Sequence, residues 1–280
     1  MELTHEFDRR TLISRAIALS SLTWVLGACA RDNKTAGAVI THATGKDDLV
    51  LRIGFEGGFT APSFQFVRIP TLLISGDGRV ITAGAQTEIF PGPLLPALYQ
   101  RSINEAGILN VLVFADKAKL IQPPPDYTAD LHVADAPNTV VIVSANGQTY
   151  KHSAYALGMG SPESTTARKC LAAFVAQMSN IESVAGLGNL GQDAPLVPDN
   201  YLVQARELAD SDLAAYDPPA HVMAWPTNAG VSLGATSTCA VVPAAKVDAV
   251  LKTATQNTVF TDAAKTYQVA AIALLPGDQC

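Results

Sequence analysis

The chain has 280 residues, of which 48% are apolar and only 16% charged, with a mean hydropathy of +0.20. This composition argues against an intrinsically disordered protein, which has few apolar residues and a high charge, and the length suffices for one large domain or two small ones. The formal net charge is −6 with no cluster of Lys and Arg, so the surface repels nucleic-acid phosphate and we expect no nucleic-acid partner.

Residues 1–28 have the organisation of a secretory signal peptide. A polar stretch with three arginines is followed by the apolar run 16–26, and the small residues Gly27 and Ala28 precede Cys29. The run has eleven residues, whereas a membrane-spanning helix needs about twenty. The sequence therefore predicts export and cleavage rather than a membrane span.

The segment Leu26-Gly27-Ala28-Cys29 resembles the lipobox of bacterial lipoproteins, in which the cysteine is lipidated and becomes the new N-terminus. An ordinary secretory signal with a chance cysteine is the alternative. The resemblance implies a protein held on the extracytoplasmic face of a membrane through two or more acyl chains on Cys29. Asp8-Arg9-Arg10-Thr11-Leu12-Ile13 also resembles a twin-arginine export signal, although a chance arginine pair in a general-secretion signal fits as well.

The mature chain begins with a small, polar segment, 29–48, which we interpret as a flexible tether. The run 49–53 predicts a strand, which 64–70 could continue. Two hairpins are predicted next, because Gly76-Asp77-Gly78 separates the apolar runs 71–75 and 79–83, and Asn146-Gly147 separates 140–143 and 148–152. Asp-Gly and Asn-Gly favour type I′ turns, which need positive φ at both central residues.

Two helices are predicted in the first half. Ser102 and Glu105 form a capping-box pattern ahead of apolar residues at helical spacing, and Ser161-Pro162 is typical of the start of a second helix. Its apolar stripe is Ala167, Cys170, Leu171, Phe174, Val175, Met178 and Ile181.

The Gly- and Pro-rich segment 184–200 is the predicted linker between an N-terminal region, 49–183, and a C-terminal region, 201–280. The C-terminal region should contain strands near 202–208, 238–242 and 267–275 and a helix from Pro243. Asp217-Pro218-Pro219 and Trp225-Pro226 are assigned to a loop. We therefore expect an α+β fold in which antiparallel sheets are built from hairpins and helices pack on one face. The chain could be organised as two subdomains of similar size.

Outside the cytoplasm, Cys239 and Cys280 are expected to form a disulfide that closes a loop of about forty residues and contributes roughly 3–4 kcal/mol to stability. Cys170 follows two basic residues, which could activate a thiol. Its place on the apolar stripe favours a buried core cysteine instead.

No motif in the sequence predicts catalysis, a cofactor or a metal. Gly186-Leu-Gly188-Asn-Leu-Gly191 matches a dinucleotide fingerprint, but a predicted helix precedes it where a strand is required, so we interpret it as linker. His42, His132, His152 and His221 lack partners at metal-ligand spacing. His42 falls in the tether and His152 on the solvent face of a hairpin strand. A Ser-His-Asp site built from distant residues stays open as an alternative.

The proline-rich loops carry aromatic side chains that could form a recognition surface, with Phe90, Tyr127 and Trp225 as its candidate residues. The same loops could instead be packed covers over a sheet edge.

Several segments of the mature chain resemble a group of uncharacterised cell-envelope lipoproteins of actinobacterial type. They are 76–80, the helix after Ser102, 135–140, 155–157 and the terminal segments 239–242 and 274–280. The resemblance covers most of the mature chain and implies place and fold, but no activity. We therefore expect a lipid-anchored, non-catalytic envelope module that binds a partner protein or a small ligand. A lipid-anchored hydrolase with a dispersed site is the alternative, and a purely structural envelope protein is a third.

Overall fold

A computed structural model describes residues 39–60, 65–86, 88–131, 133–159, 163 and 165–280. The predicted signal peptide, Cys29 and most of the predicted tether therefore lie outside the described residues, as do His132 and the predicted helix start at Ser161-Pro162. In the part of the chain that the structure describes, no helix is both long and apolar enough to cross a membrane.

The first half of the chain forms a seven-stranded sheet in which every neighbouring pair is antiparallel, in the order β6-β5-β1-β2-β3-β4-β7. Both predicted hairpins are confirmed, as β2–β3 and β5–β6. The strands are β1 (Leu49–Glu56), β2 (Leu72–Ser75), β3 (Arg79–Ala83), β4 (Leu98–Ser102), β5 (Asn138–Ala145), β6 (Gln148–Tyr155) and β7 (Ala194–Pro195).

The two hairpin turns differ in type. Asn146 and Gly147 both have positive φ, of 53° and 72°, as a type I′ turn requires. In the β2–β3 turn only Gly78 does, at 82°, so the predicted type I′ turn at Asp77-Gly78 is wrong. Residues 76–78 form a three-residue loop, one residue longer than a type I′ turn, and its last residue, Gly78, has the left-handed backbone conformation. A Cβ at Gly78 would also lie 2.5 Å from the carbonyl oxygen of Ile103.

Three helices cover one face of this sheet, namely α1 (Glu105–Lys117), α2 (Thr166–Met178) and α3 (Ile181–Ala185). The N-cap of α1 is Asn104, whose side chain accepts a hydrogen bond from the Gly107 amide. The predicted capping box at Ser102 is therefore wrong, because Ser102 is the last residue of β4. The stripe predicted for the second helix is confirmed at the buried Cys170, Leu171, Phe174 and Met178, but Ile181 belongs to α3. Helix α2 begins at Thr166 with Thr165 as its N-cap, so the helix start predicted at Ser161-Pro162 is wrong.

The second half forms a five-stranded sheet in the order β10-β8-β12-β11-β9, antiparallel except for the parallel pair β9–β11. Helix α5 and the segment around Trp225 contribute to the core on one of its faces. The elements are β8 (Asn200–Glu207), α4 (Asp210–Ala214), β9 (His221–Ala224), β10 (Ala240–Pro243), α5 (Ala244–Leu251), β11 (Thr258–Asp262) and β12 (Lys265–Ala273), with 3₁₀ turns at Leu187–Asn189 and Leu233–Ala235. The expected α+β class, with antiparallel sheets built from hairpins, is confirmed.

The two sheets meet through a shared apolar cluster. Ala273 and Leu275, at the end of β12, pack against Leu73, Ile81 and Leu98 of the first sheet. The segment expected to be a linker also packs, since β7 pairs with β4 and Leu190 bridges to Ile103. Its glycines allow close approach to β4, because a Cβ at Gly191 would lie 2.3 Å from the Ser102 hydroxyl oxygen.

Two further expectations are corrected by the N-terminal part of the described chain. Residues 39–48 contact the first sheet instead of extending as a flexible tether. The Thr41 amide donates to Asn146 Oδ1 in the β5–β6 turn at 2.9 Å, and the His42 side chain is only 3% exposed. Residues 65–66 are helical, so the strand expected to continue through 64–70 does not form there.

Candidate ligand-binding cleft

The three residues expected to form a recognition surface do not share a surface. Phe90 is 64% exposed, but Tyr127 is 9% and Trp225 5% exposed. Tyr127 belongs to the core of the first sheet and Trp225 to that of the second, where its ring meets Phe260 edge-on and its indole N–H donates to the Val231 carbonyl. The predicted surface is therefore wrong for these two aromatics, which are part of the two cores.

The described histidines contact carboxylates, tyrosine or backbone rather than nucleophiles. His42 Nε2 lies 3.2 Å from Glu105 Oε2. His152 is fully buried, which corrects its expected place on a solvent face, and its ring bridges the Tyr127 hydroxyl and the Leu120 carbonyl at 2.8 and 3.0 Å. His221 lies exposed on β9. Among the described residues no group of three His, Cys, Asp or Glu could hold a metal ion.

The tautomer of His152 follows from its neighbours. A carbonyl can only accept, so Nε2 carries the proton and donates to Leu120, and Nδ1 accepts from the Tyr127 hydroxyl. Burial raises the pKa of Tyr127 to about 12, so the hydroxyl keeps the proton that it donates. Burial also lowers the pKa of His152 below its ordinary value of 6.5, although the hydrogen bond to Leu120 opposes this shift.

We expect the protein to lose stability in mild acid through His152. Its folded-state pKa is lowered, so its contribution is fully present above the unfolded value of 6.5 and is lost as the pH falls through the folded-state value. Urea unfolding at pH 7.5 and pH 5 should show a smaller acid loss in His152→Gln than in the wild type. The exposed His221→Gln variant should keep the wild-type loss, and an equal loss in all three proteins would contradict the assignment.

A buried ion pair adjoins this histidine. The Arg168 side chain is 1% exposed, and its Nη1 donates to the carbonyls of Tyr127 and Tyr155, each at 3.1 Å. Its Nε donates to Glu163, which is 11% exposed and also accepts from the Gly158 amide. Nη2 is buried, and none of the described residues forms a hydrogen bond with it. This network fastens the long segment before β5 to helix α2.

The cysteines follow the expected pattern in part. Cys239 and Cys280 form the predicted disulfide, with their Cα atoms 5.4 Å apart. Cys170 is buried on α2 as predicted, at 6% exposure, but it is disulfide-bonded rather than a thiol.

An opening with mostly apolar walls lies between the first sheet and the helices that cover it. Ile53, Leu72 and Thr82 are register partners across β1, β2 and β3, and they form the floor of a cleft of about 560 Å³ under the junction of α2 and α3. Six apolar residues line it, namely Ile53, Phe55, Leu72, Val175, Met178 and Ile181. Six polar residues complete it, namely Thr71, Thr82, Arg101, Ser179, Asn180 and Glu182.

The two charged residues that line this α2–α3 cleft, Arg101 and Glu182, pair with each other, and a further carboxylate adjoins them. The Arg101 side chain is 14% exposed, and its Nη1 donates to Glu182 Oε1 at 2.8 Å. A second carboxylate, Asp193, lies 3.8 Å from Arg101 Nε. Glu182 and Asp193 remain about half exposed, at 48% and 59%, so two carboxylates lie beside one guanidinium, and of these two Glu182 lines the cleft.

The helix junction adds to this negative character. Asn180 caps α3 by accepting from the Ser183 amide, and the last turn of α2 contributes Val175 and Met178 to the wall. That turn contains no basic residue, so the partial negative charge of the C-terminus of α2 is not neutralised from within the helix.

A second cavity, of about 510 Å³, lies where the end of β12 meets the first sheet. Its charged side chains are already paired, Arg79 with Asp77, Lys46 with Asp47 and Asp199, and Asp278 with Arg52 outside the cavity. The α2–α3 cleft is the more apolar of the two and is the better candidate for a ligand.

Sequence reasoning did not identify this cleft. Its residues come from five segments between 53 and 182 that only the sheet order brings together. The one usable signal was Arg101, a charged residue on β4, the strand between β3 and the two-residue edge strand β7.

No protein-family model matches the sequence, no curated protein is significantly similar to it, and no solved structure is significantly similar to the chain. The cleft is therefore interpreted from its own geometry.

Proposed function

We propose that this protein is a lipid-anchored extracytoplasmic module that binds a small amphipathic molecule in the α2–α3 cleft without transforming it. The anchor rests on the Leu26-Gly27-Ala28-Cys29 segment and the apolar run before it. The binding function rests on one observation, the cleft of about 560 Å³ with an apolar floor and a charged rim. Sites for small ligands have volumes of about 300–1,000 Å³, mostly apolar walls and a few polar groups that fix orientation.

A small ligand is favoured over a protein partner by where the aromatic residues lie. A docking surface of proline loops would need Tyr127 and Trp225 at the surface, and both are buried. The hydrolase alternative would need a histidine beside a nucleophile. Among the described residues the ring partners of His42 and His152 are Glu105, Tyr127 and backbone carbonyls, so no observation favours it.

Filling the cleft should weaken binding. Val175→Trp places a larger side chain in the wall of the cleft, and we expect it to weaken binding of the uncharged fluorophore N-phenyl-1-naphthylamine by about tenfold or more, because the space for the rings is occupied. A fluorescence titration of the purified mature protein measures this affinity.

The matched control is Val113→Trp, the same change at a 43% exposed position on α1. It should leave the affinity unchanged, and thermal unfolding of both variants checks that each is folded. Wild-type protein that does not bind the fluorophore saturably, or a folded Val175→Trp variant with unchanged affinity, would contradict the proposed binding function.

A further inference from the structure

We infer that the ligand of the α2–α3 cleft carries a cationic amino group joined to an apolar chain or ring. The inference rests on the proposed binding function and goes further by specifying the chemical class of the ligand. The apolar part would lie on the floor of the cleft, and the amino group would lie at the rim against Glu182.

The rim charges favour a cation over an anion. Arg101 is the one basic side chain among the residues that line the cleft, and it already donates to Glu182 Oε1. Glu182 has a second carboxylate oxygen, and Asp193 adds another negative charge beside the same guanidinium. A bound carboxylate would make three anions around one cation, whereas a bound ammonium balances the charges.

The end of α2 provides an independent argument for the same sign. Ser179 follows the last residue of this thirteen-residue helix, whose last turn forms one wall of the cleft. The C-terminus of a helix carries a partial negative charge that stabilises nearby cations, and this last turn contains no basic residue to do so. The five-residue helix α3 begins at the same junction and opposes this charge in part, so the rim carboxylates are the stronger argument.

The apolar floor determines the rest of the ligand. Phe55 is 45% exposed although it points to the helix-covered side of β1, two residues beyond the buried Ile53. Covering such a side chain with an alkyl or aryl group removes apolar surface from water at about 25 cal/mol per Å². A purely polar amine would leave this surface exposed, so the cleft selects an amphipathic amine.

The test compares three probes of one chain length, below their micelle concentrations: decylammonium, 1-decanol and decanoate. Each competes with N-phenyl-1-naphthylamine for the purified mature protein, and the displacement midpoints are measured. We expect decylammonium to displace the fluorophore at a concentration about tenfold lower than decanoate, with decanol between them.

Glu182→Gln removes the rim charge and should abolish or reverse this preference, because Arg101 is then opposed by Asp193 alone. The matched control is Glu207→Gln, a 53% exposed glutamate paired with Lys265 on the second sheet, which should keep the wild-type order. Equal displacement by all three probes, or stronger displacement by decanoate, would overturn the cationic inference and leave the binding function standing. Failure of the wild type to bind the fluorophore itself would instead overturn the binding function.

Discussion

Glu163→Ala is expected to lower the free energy of unfolding by about 3–5 kcal/mol, because it leaves the Arg168 guanidinium buried without its counter-ion. Arg168 is 1% exposed and Glu163 11%, so neither charge is well solvated in the folded chain. The two carbonyls that Arg168 also contacts carry only partial charges and cannot replace the carboxylate. Urea unfolding of the purified variant at pH 7.5 measures the loss.

The matched control is Glu56→Ala, which removes a carboxylate that pairs with Lys151 in an exposed position. Exposed pairs contribute about 0–1 kcal/mol, so this variant should remain close to the wild type. A double change, Glu163→Leu with Arg168→Met, should recover part of the lost stability because it removes both buried charges. A Glu163→Ala variant within 1 kcal/mol of the wild type would mean that Arg168 is solvated when folded.

Cys29→Ser is expected to abolish lipid attachment completely, because the serine has no thiol to form the thioether. In a bacterial host that processes lipoproteins, the wild type should incorporate a labelled fatty acid and the variant none. The energetic effect is large, since each buried CH₂ of an acyl chain contributes about 0.8 kcal/mol to membrane binding. The measurement is the label on the immunoprecipitated protein.

Cys170→Ser is the control that separates a lipid from a disulfide. Cys239 and Cys280 pair with each other, so Cys29 is the one cysteine of the sequence left besides Cys170. The thiol of Cys29 can carry a lipid or enter a disulfide, but not both, so the proposed lipidation requires that Cys29 is not the disulfide partner of Cys170 in the processed protein. Cys170→Ser should incorporate the label like the wild type, and label that persists in Cys29→Ser would contradict lipidation at this position.

The hairpins could be predicted because their information is local. Asn146-Gly147 and Gly78 supply the left-handed backbone that a tight turn needs, between runs that are apolar enough to form strands. The helix start at Asn104 was misplaced by two residues because serine and asparagine offer the same side-chain acceptor. Because Ser102 pairs with Arg79 in the sheet, it belongs to β4, and Asn104 is the residue that caps the N-terminus of α1.

The missed strands depend on partners that are distant in sequence. β4 has one buried residue, Leu98, and its apolar and polar residues do not alternate as in a typical half-buried strand. It forms a strand because it pairs with β3. β9 is mostly exposed and pairs in parallel with β11, more than thirty residues later. Strand propensity reflects such packing more than intrinsic preference.

The cleft could not be predicted for the same reason. Ile53 and Glu182 are far apart in the chain, but both line one cleft. After α1 the chain returns to the sheet as β5, which pairs with β1, and α2 and α3 then pack on the same face of the sheet as α1. The linker predicted at 184–200 rests on a high glycine content. Glycine also permits close packing against β4, so the same composition fits a packed segment.

The most direct test of a lipid-anchored binding module is the intact mass of the protein purified from membranes of a lipoprotein-processing bacterium, measured under native conditions. We predict a chain that begins at Cys29, carries two or three acyl chains and contains the Cys239–Cys280 disulfide, with an amine-containing small molecule retained without a covalent bond. A chain that retains residues 1–28, or one in which Cys29 is disulfide-bonded to Cys170 instead of acylated, would contradict the anchor.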